Sequence, residues 1–171
     1  MAEVEIPEGY PHREGHLMNM DTVFLDLYRL LAIFLSSKSF AALRSEDYLD
    51  PISELQDPEF DEITRILVST AVIARIIDDR DNQYLSQNNT ECGWLIEDLT
   101  QPETKIPLTL REACNKIIHA SRIRTDLDRE NGQAFFNPFV YFYGAKGRKE
   151  WKAQINIVEY AKTYKTHLKF A

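Results

Sequence analysis

Two long apolar periodicities constrain this chain more than anything else in it. From Asp21 to about Ser37, Phe24, Leu27, Tyr28, Leu31 and Leu35 recur at three-four spacing, and Val23, Leu30 and Phe34 widen the stripe. A helix this apolar belongs at the centre of a core. A second helix is announced by Asp57-Pro58-Glu59: an N-cap, a proline at the first helical position and an acid in the first turn. It is expected to run to about Asp79, with Ile63, Ile66, Leu67, Thr70, Ala74 and Ile77 on its buried face. Between them a short helix is expected over Phe40 to Tyr48, ended by Asp50-Pro51. Two long apolar helices with so short a connection read as an antiparallel pair.

The rest of the chain is punctuated differently. Residues 80–107 are polar and irregular, with one short strand expected at Gly93 to Glu97, and residues 122–137 read as a polar loop. Phe139 to Tyr143 alternates aromatic residues, Gly144-Ala-Lys-Gly147 can turn, and Trp151, Ala153, Ile155 and Ile157 alternate on the return, so a β-hairpin is expected. A last basic helix follows from about Val158 to Leu168. The fold class expected is mainly α (α+β): a helical bundle with two long antiparallel helices, a C-terminal β-hairpin and a terminal helix. Residues 1–19 hold two prolines and no helical period, and read as a flexible arm. Residues 20–171 read as one domain, the simplest division of 171 residues.

Charge narrows the function. The net charge is −7, but it is unevenly spread. Residues 1–110 carry 8 Lys+Arg against 21 Asp+Glu, and residues 111–171 carry 12 against 6. The C-terminal third is thus free to attract an anion, unless the two halves simply attract each other within the fold. No apolar leader opens the chain, and the longest apolar run, Leu30 to Leu35, is too short to span a bilayer. Cys92 and Cys114 make neither a disulfide framework nor a metal knuckle. A cytoplasmic protein with no membrane contact, metal or cofactor is expected. No Walker loop, Rossmann glycine pattern, nucleophile elbow or His-Glu-x-x-His is present.

One segment suggests chemistry. Thr109-Leu-Arg-Glu112 is a capping box, and it sets the phase of the helix it opens. Leu110, Ala113, Cys114, Ile117, Ala120 and Ser121 then share the inward side, while Arg111, Asn115 and His119 step along the polar side. Arg is a planar, permanently charged fork for phosphate oxygens. Imidazole can exchange a proton with a ribose hydroxyl or a leaving oxygen, and Asn can hold the imidazole or an oxyanion. Together they could perform metal-independent RNA cleavage. They could equally be an ordinary wet helix face with an exposed histidine.

An Arg…Asn…His helix placed after two long antiparallel helices resembles the HEPN superfamily. The resemblance implies a small, mainly helical protein, often dimeric, of the kind found among ribonucleases of toxin–antitoxin and phage-defence systems. It assigns phosphate binding to Arg111, orientation to Asn115 and general acid/base chemistry to His119. Seven residues separate Arg111 from His119, more than the family pattern has, and Glu112 follows the arginine directly.

Other candidates are secondary. Lys146, Arg148, Lys149 and Lys152 surround the expected hairpin turn, with Tyr141, Tyr143 and Trp151 nearby. Basic residues among aromatics can hold single-stranded nucleic acid, or can be a charged tip over an aromatic core. Lys116, Arg122 and Arg124 join them as candidate nucleic-acid contacts. Asp78-Asp79-Arg80-Asp81 reads as a solvated helix end rather than a cation site, and Pro11 and Gly15 argue against His12 and His16 sharing a metal-binding helix. Two functions are therefore expected to compete. One is a homodimeric, HEPN-like protein that binds or cleaves RNA; the other is a non-catalytic antitoxin, immunity or adaptor module that contacts a protein partner.

Overall fold

A computed structural model describes residues 19–45, 50–80, 85 and 89–168. In chain order these form α1 (Met20–Ala41), α2 (Pro51–Gln56), α3 (Glu59–Arg80), β1 (Glu91–Ile96), β2 (Ile106–Thr109), α4 (Leu110–Ile118), β3 (Arg122–Glu130), β4 (Gln133–Lys146), β5 (Lys149–Asn156) and α5 (Ile157–His167). The arm expected over residues 1–19 lies, up to residue 18, outside the described residues, as do His12, His16 and Asp81.

Both long helices are present, with shifted ends. Asn19 rather than Asp21 caps α1, its side chain accepting from the Asp21 N–H at 3.0 Å. The helix continues through Phe40 to Ala41, so no separate helix begins at Phe40. Asp50 and Pro51 start α2 instead of ending a helix: the Asp50 carboxylate accepts from the Ser53 N–H, and Pro51 occupies the first turn. Asp57 then closes α2, and α3 opens at Glu59 with Glu59, Asp61 and Glu62 in its first turn. Asp26 of α1 pairs with Arg65 of α3 at 2.8 Å.

The expected helical bundle with a C-terminal hairpin is overturned by the sheet. Five strands pair antiparallel throughout in the order β2-β1-β5-β4-β3, and the expected hairpin, β4–β5, is only part of it. The region read as a polar loop, 122–137, is β3 and the first part of β4. These strands meet in a tight turn at Asn131-Gly132, both at positive φ (51° and 83°), as a two-residue hairpin turn requires. β2, inside the segment read as irregular, pairs with β1.

One face of the sheet is core. Cys92, Leu95, Leu108, Val140, Phe142, Trp151, Ala153 and Ile155 are buried in a single apolar cluster that extends from Val23 to Leu168. α1, α4 and α5 pack on the sheet, and α3 packs against α1 and α4. Two buried tyrosines tie α5 to α3. Tyr160 shares a hydrogen bond with the Thr70 hydroxyl, and Tyr164 donates to the Thr70 carbonyl, each at 3.0 Å. Gly144 faces Trp151 across β4–β5, and a Cβ there would lie 2.2 Å from the indole. The bare backbone of Gly144 is what lets the indole lie against the strand.

Candidate nucleic-acid interface

The period of two in a strand sends alternate residues to opposite faces. With Val140, Phe142, Ala153 and Ile155 turned to the core, Tyr141, Tyr143, Lys152 and Gln154 turn to the other side of the sheet. Pairing extends this into rows. Trp94 of β1 faces Gln154, which faces Tyr141, which faces Arg124 of β3. Beside them Lys152 faces Tyr143, which faces Arg122. The first row crosses four strands, about 14 Å at the usual strand spacing.

These residues form a lattice of cations on rings. Lys152 Nζ lies 4.5 Å from the Tyr141 ring centroid and 5.6 Å from those of both Trp94 and Tyr143. Lys105, from the β1–β2 connection, sits 4.6 Å over Trp94. The Arg122 guanidinium stacks 4.5 Å over Tyr143, with that of Arg124 at 6.0 Å. Trp94 and Tyr141 meet edge-on at 6.3 Å. None of these four cations is ion-paired to a carboxylate among the described residues. The Tyr141 hydroxyl donates to Asp126 at 2.7 Å and accepts from the Gln154 amide at 2.8 Å. Burial first, and then the bond to Asp126, push its phenol above the ordinary range. The face is therefore polar at its middle, with cations around it. A cleft of about 370 Å³ opens at its end, bounded by Arg122, Tyr143, Gly144, Glu150 and Trp151.

The other expected nucleic-acid contacts divide. Arg122, Arg124 and Lys152 belong to the lattice just described. Lys146 and Arg148 are exposed at the β4–β5 turn, and Lys149 pairs with Asp98 at 3.2 Å. Lys116 pairs with Glu112 at 3.0 Å and covers Trp151 at 4.7 Å. Trp151 itself is buried on the core face, not grouped with Tyr141 and Tyr143.

The stripe on α4 is held in a different way. Thr109 caps the helix as expected, and Leu110, Ala113, Cys114 and Ile117 are buried. The Glu112 carboxylate turns forward to Lys116 and the Asn115 amide rather than back to the cap. Arg111 donates its Nε to Asp78 at 2.7 Å, and Asp78 is fully buried at the end of α3. The same carboxylate accepts the Leu85 N–H at 2.7 Å. Asp78 is thus a paired core acid, not part of a solvated helix end. His119 is the exposed C-cap of α4, with its carbonyl against Gly144 at the edge of the cleft. Eight residues of helical rise put Arg111 and His119 about 12 Å apart along the axis.

Sequence reasoning missed Trp94, Lys105, Asp126 and Gln154. Trp94 and Gln154 were within strands already expected, and the alternation that turned Trp151 one way should have turned Lys152 and Gln154 the other. Lys105 and Asp126 came from segments read as loop.

Among the described residues, no group of three or more His, Cys, Asp or Glu side chains is placed to hold a metal ion, and no helix is long and apolar enough to cross a membrane. Fold and face together define an α+β protein with a one-sided antiparallel sheet whose open side is aromatic and cationic. Compared with known proteins, the chain matches no family model, no curated sequence and no solved structure.

Proposed function

We propose that this protein binds single-stranded RNA on the open face of its sheet. The observation that carries the reading is the lattice of Trp94, Tyr141 and Tyr143 with Lys105, Lys152, Arg122 and Arg124, turned away from the core, its four cations in no ion pair among the described residues. Flat rings accept unstacked bases, and cations around them track the phosphates. Duplex bases are already stacked on each other and offer no such faces, so the surface selects single strands. Asp126 and Gln154 set hydrogen-bonding groups beside the rings, suited to base edges and to the 2′-hydroxyl. RNA is also the ligand that the HEPN resemblance implies, here on a surface other than the α4 stripe. Cytoplasmic location belongs to the same proposal.

Binding is favoured over cleavage because Arg111 spends its Nε on Asp78 and Asn115 its amide on Glu112. The non-catalytic protein-contact reading is supported by a separate observation, the exposed apolar side of α1.

The test is fluorescence anisotropy of a labelled single-stranded RNA against increasing salt, with duplex RNA and single-stranded DNA alongside. Four phosphate contacts on a single strand give a log–log salt slope of about −3. Removing one stacking ring, as in Trp94→Ala or Tyr143→Ala, is expected to weaken binding about tenfold. Equal affinity for duplex, or affinity indifferent to both variants, refutes the reading. The same RNA incubated in EDTA with wild type and His119→Ala tests cleavage: fragments lost in the variant would return the α4 stripe to the centre.

A further inference from the structure

α1 is apolar on both sides, and only one side is used. Val23, Leu27, Leu30 and Phe34 are buried in the core. On the outward side Leu25, Tyr28 and Leu35 are 46%, 68% and 69% exposed. With Ala32 and Ser39 they fall at positions 25, 28, 32, 35 and 39, the alternating three-four spacing of a helix–helix seam. Between positions 25 and 39 no charged side chain stands in this seam; the exposed Asp21 lies at its end, four residues before Leu25. An apolar helix side is normally buried, and among the described residues nothing covers this one.

We propose that the partner is a second copy of this chain, packed antiparallel along α1 across a two-fold axis beside Ala32. The seam is self-complementary about that point. Its smallest side chain, Ala32, sits at the centre, where two helices cross most closely. Seven residues apart, Tyr28 and Leu35 lie on either side of it, so Tyr28 meets the partner's Leu35 in both halves of the symmetric contact. Leu25 meets the partner's Ser39, a large residue against a small one. Between positions 25 and 39 the seam carries no charge, so a second copy meets no like charge there. Area agrees: Leu25, Tyr28, Leu35 and the exposed Leu43 just beyond the helix offer on the order of 500 Å² of apolar surface, near the upper limit for a patch that a monomer leaves in water. With a polar rim this reaches the roughly 800 Å² per partner of a stable complex. α3 carries a shallower stripe, Val68, Val72 and Ile76, each about two-fifths exposed. It lacks the small central residue, and it is the rival surface.

Mass is measured by light scattering on the eluting full-length protein, for wild type and for the double variant Tyr28→Glu/Leu35→Glu. Wild type is expected at twice the chain mass of 19.9 kDa. The double variant is expected at the single-chain mass with an unchanged far-ultraviolet circular dichroism spectrum. Ala32→Cys supplies a readout that does not depend on tolerating two buried charges. It should form a disulfide-linked dimer under mild oxidation, which needs the two Cα atoms within about 7 Å. Wild type should not, because Cys92 and Cys114 are buried. A monomeric wild type at 100-micromolar concentration, as would follow if residues 1–18 of the same chain cover the seam, overturns the proposal. So does an Ala32→Cys protein that fails to cross-link, or a dimer lost in Val72→Glu/Ile76→Glu but kept in Tyr28→Glu/Leu35→Glu.

Discussion

Replacing Arg111 with methionine separates a structural role for this residue from a chemical one. Its Nε donates to Asp78 at 2.7 Å, and Asp78 has no exposed surface. Without Arg111 the carboxylate retains, among the described residues, the Leu85 N–H as donor. Among the described residues Arg75 also approaches it, with its closest nitrogen at 4.0 Å, beyond hydrogen-bond range. Stranding one member of a buried ion pair costs about 3–5 kcal/mol. The Arg111 side chain is 27% exposed and Arg75 can move in, so the lower end applies, about 3 kcal/mol. In a domain of this size that lowers the melting temperature by roughly 6–12 °C. Calorimetry or urea unfolding measures it. Arg111→Met/Asp78→Asn should recover most of the loss, because it leaves no stranded charge and the amide oxygen can still accept the Leu85 N–H. His119→Ala, at an exposed C-cap, should stay within about 0.5 kcal/mol. An Arg111→Met protein as stable as wild type would refute the reasoning and release the guanidinium for a ligand.

Two further outcomes follow from the packing and the charges. Gly144→Ala puts a Cβ 2.2 Å from the Trp151 indole and 3.0 Å from the His119 carbonyl; it should cost about 2–3 kcal/mol by overpacking and shift tryptophan emission to the red as the indole is displaced, and unchanged emission with full stability would contradict the strand register. The hydrogen bond from Arg65 holds the Asp26 carboxyl below its ordinary range, so its contribution to stability is fully present above the unfolded-state value and is lost as pH falls through the folded one; the stability gap between wild type and Asp26→Asn should be widest near neutrality and close in acid, and a gap constant down to pH 3 would refute the pairing.

The helical half of the fold was legible because its signals are redundant. In α1 and α3 some seven buried positions repeat one period, so moving a cap by two residues, from Asp21 to Asn19, leaves the element intact. The same redundancy concealed the outward side of α1. Leu25 and Tyr28 are as apolar as Leu27 and Leu30, and only packing separates the exposed pair from the buried one. The sheet half carried weaker signals. β3 is an edge strand written Arg-Ile-Arg-Thr-Asp-Leu-Asp-Arg-Glu, and most of its residues face water, so its hydropathy is that of a loop. Its signals were the Arg122-Ile123-Arg124 alternation and Asn131-Gly132, the strongest short hairpin signal available, standing between two segments that would then have to pair.

That omission also bears on the site. Once β3 is a strand beside β4, Arg122 and Arg124 are both brought to the Tyr143 ring, and a charge excess in the last third of the chain becomes a surface of defined geometry. Charge and aromatic content were visible in the sequence; which side of a strand each residue took depended on a pairing that hydropathy did not reveal. The sheet separates the two proposed surfaces, because α1 packs on its core face and the platform occupies the other. A dimer joined along α1 would turn its two platforms away from each other. Short RNAs would fill the platforms independently, and only a strand long enough to pass around the dimer would gain from both. In Tyr28→Glu/Leu35→Glu, affinity for a short oligonucleotide should therefore be unchanged while affinity for a long one falls. Equal losses for both lengths would place the platform at the dimer contact and contradict this arrangement.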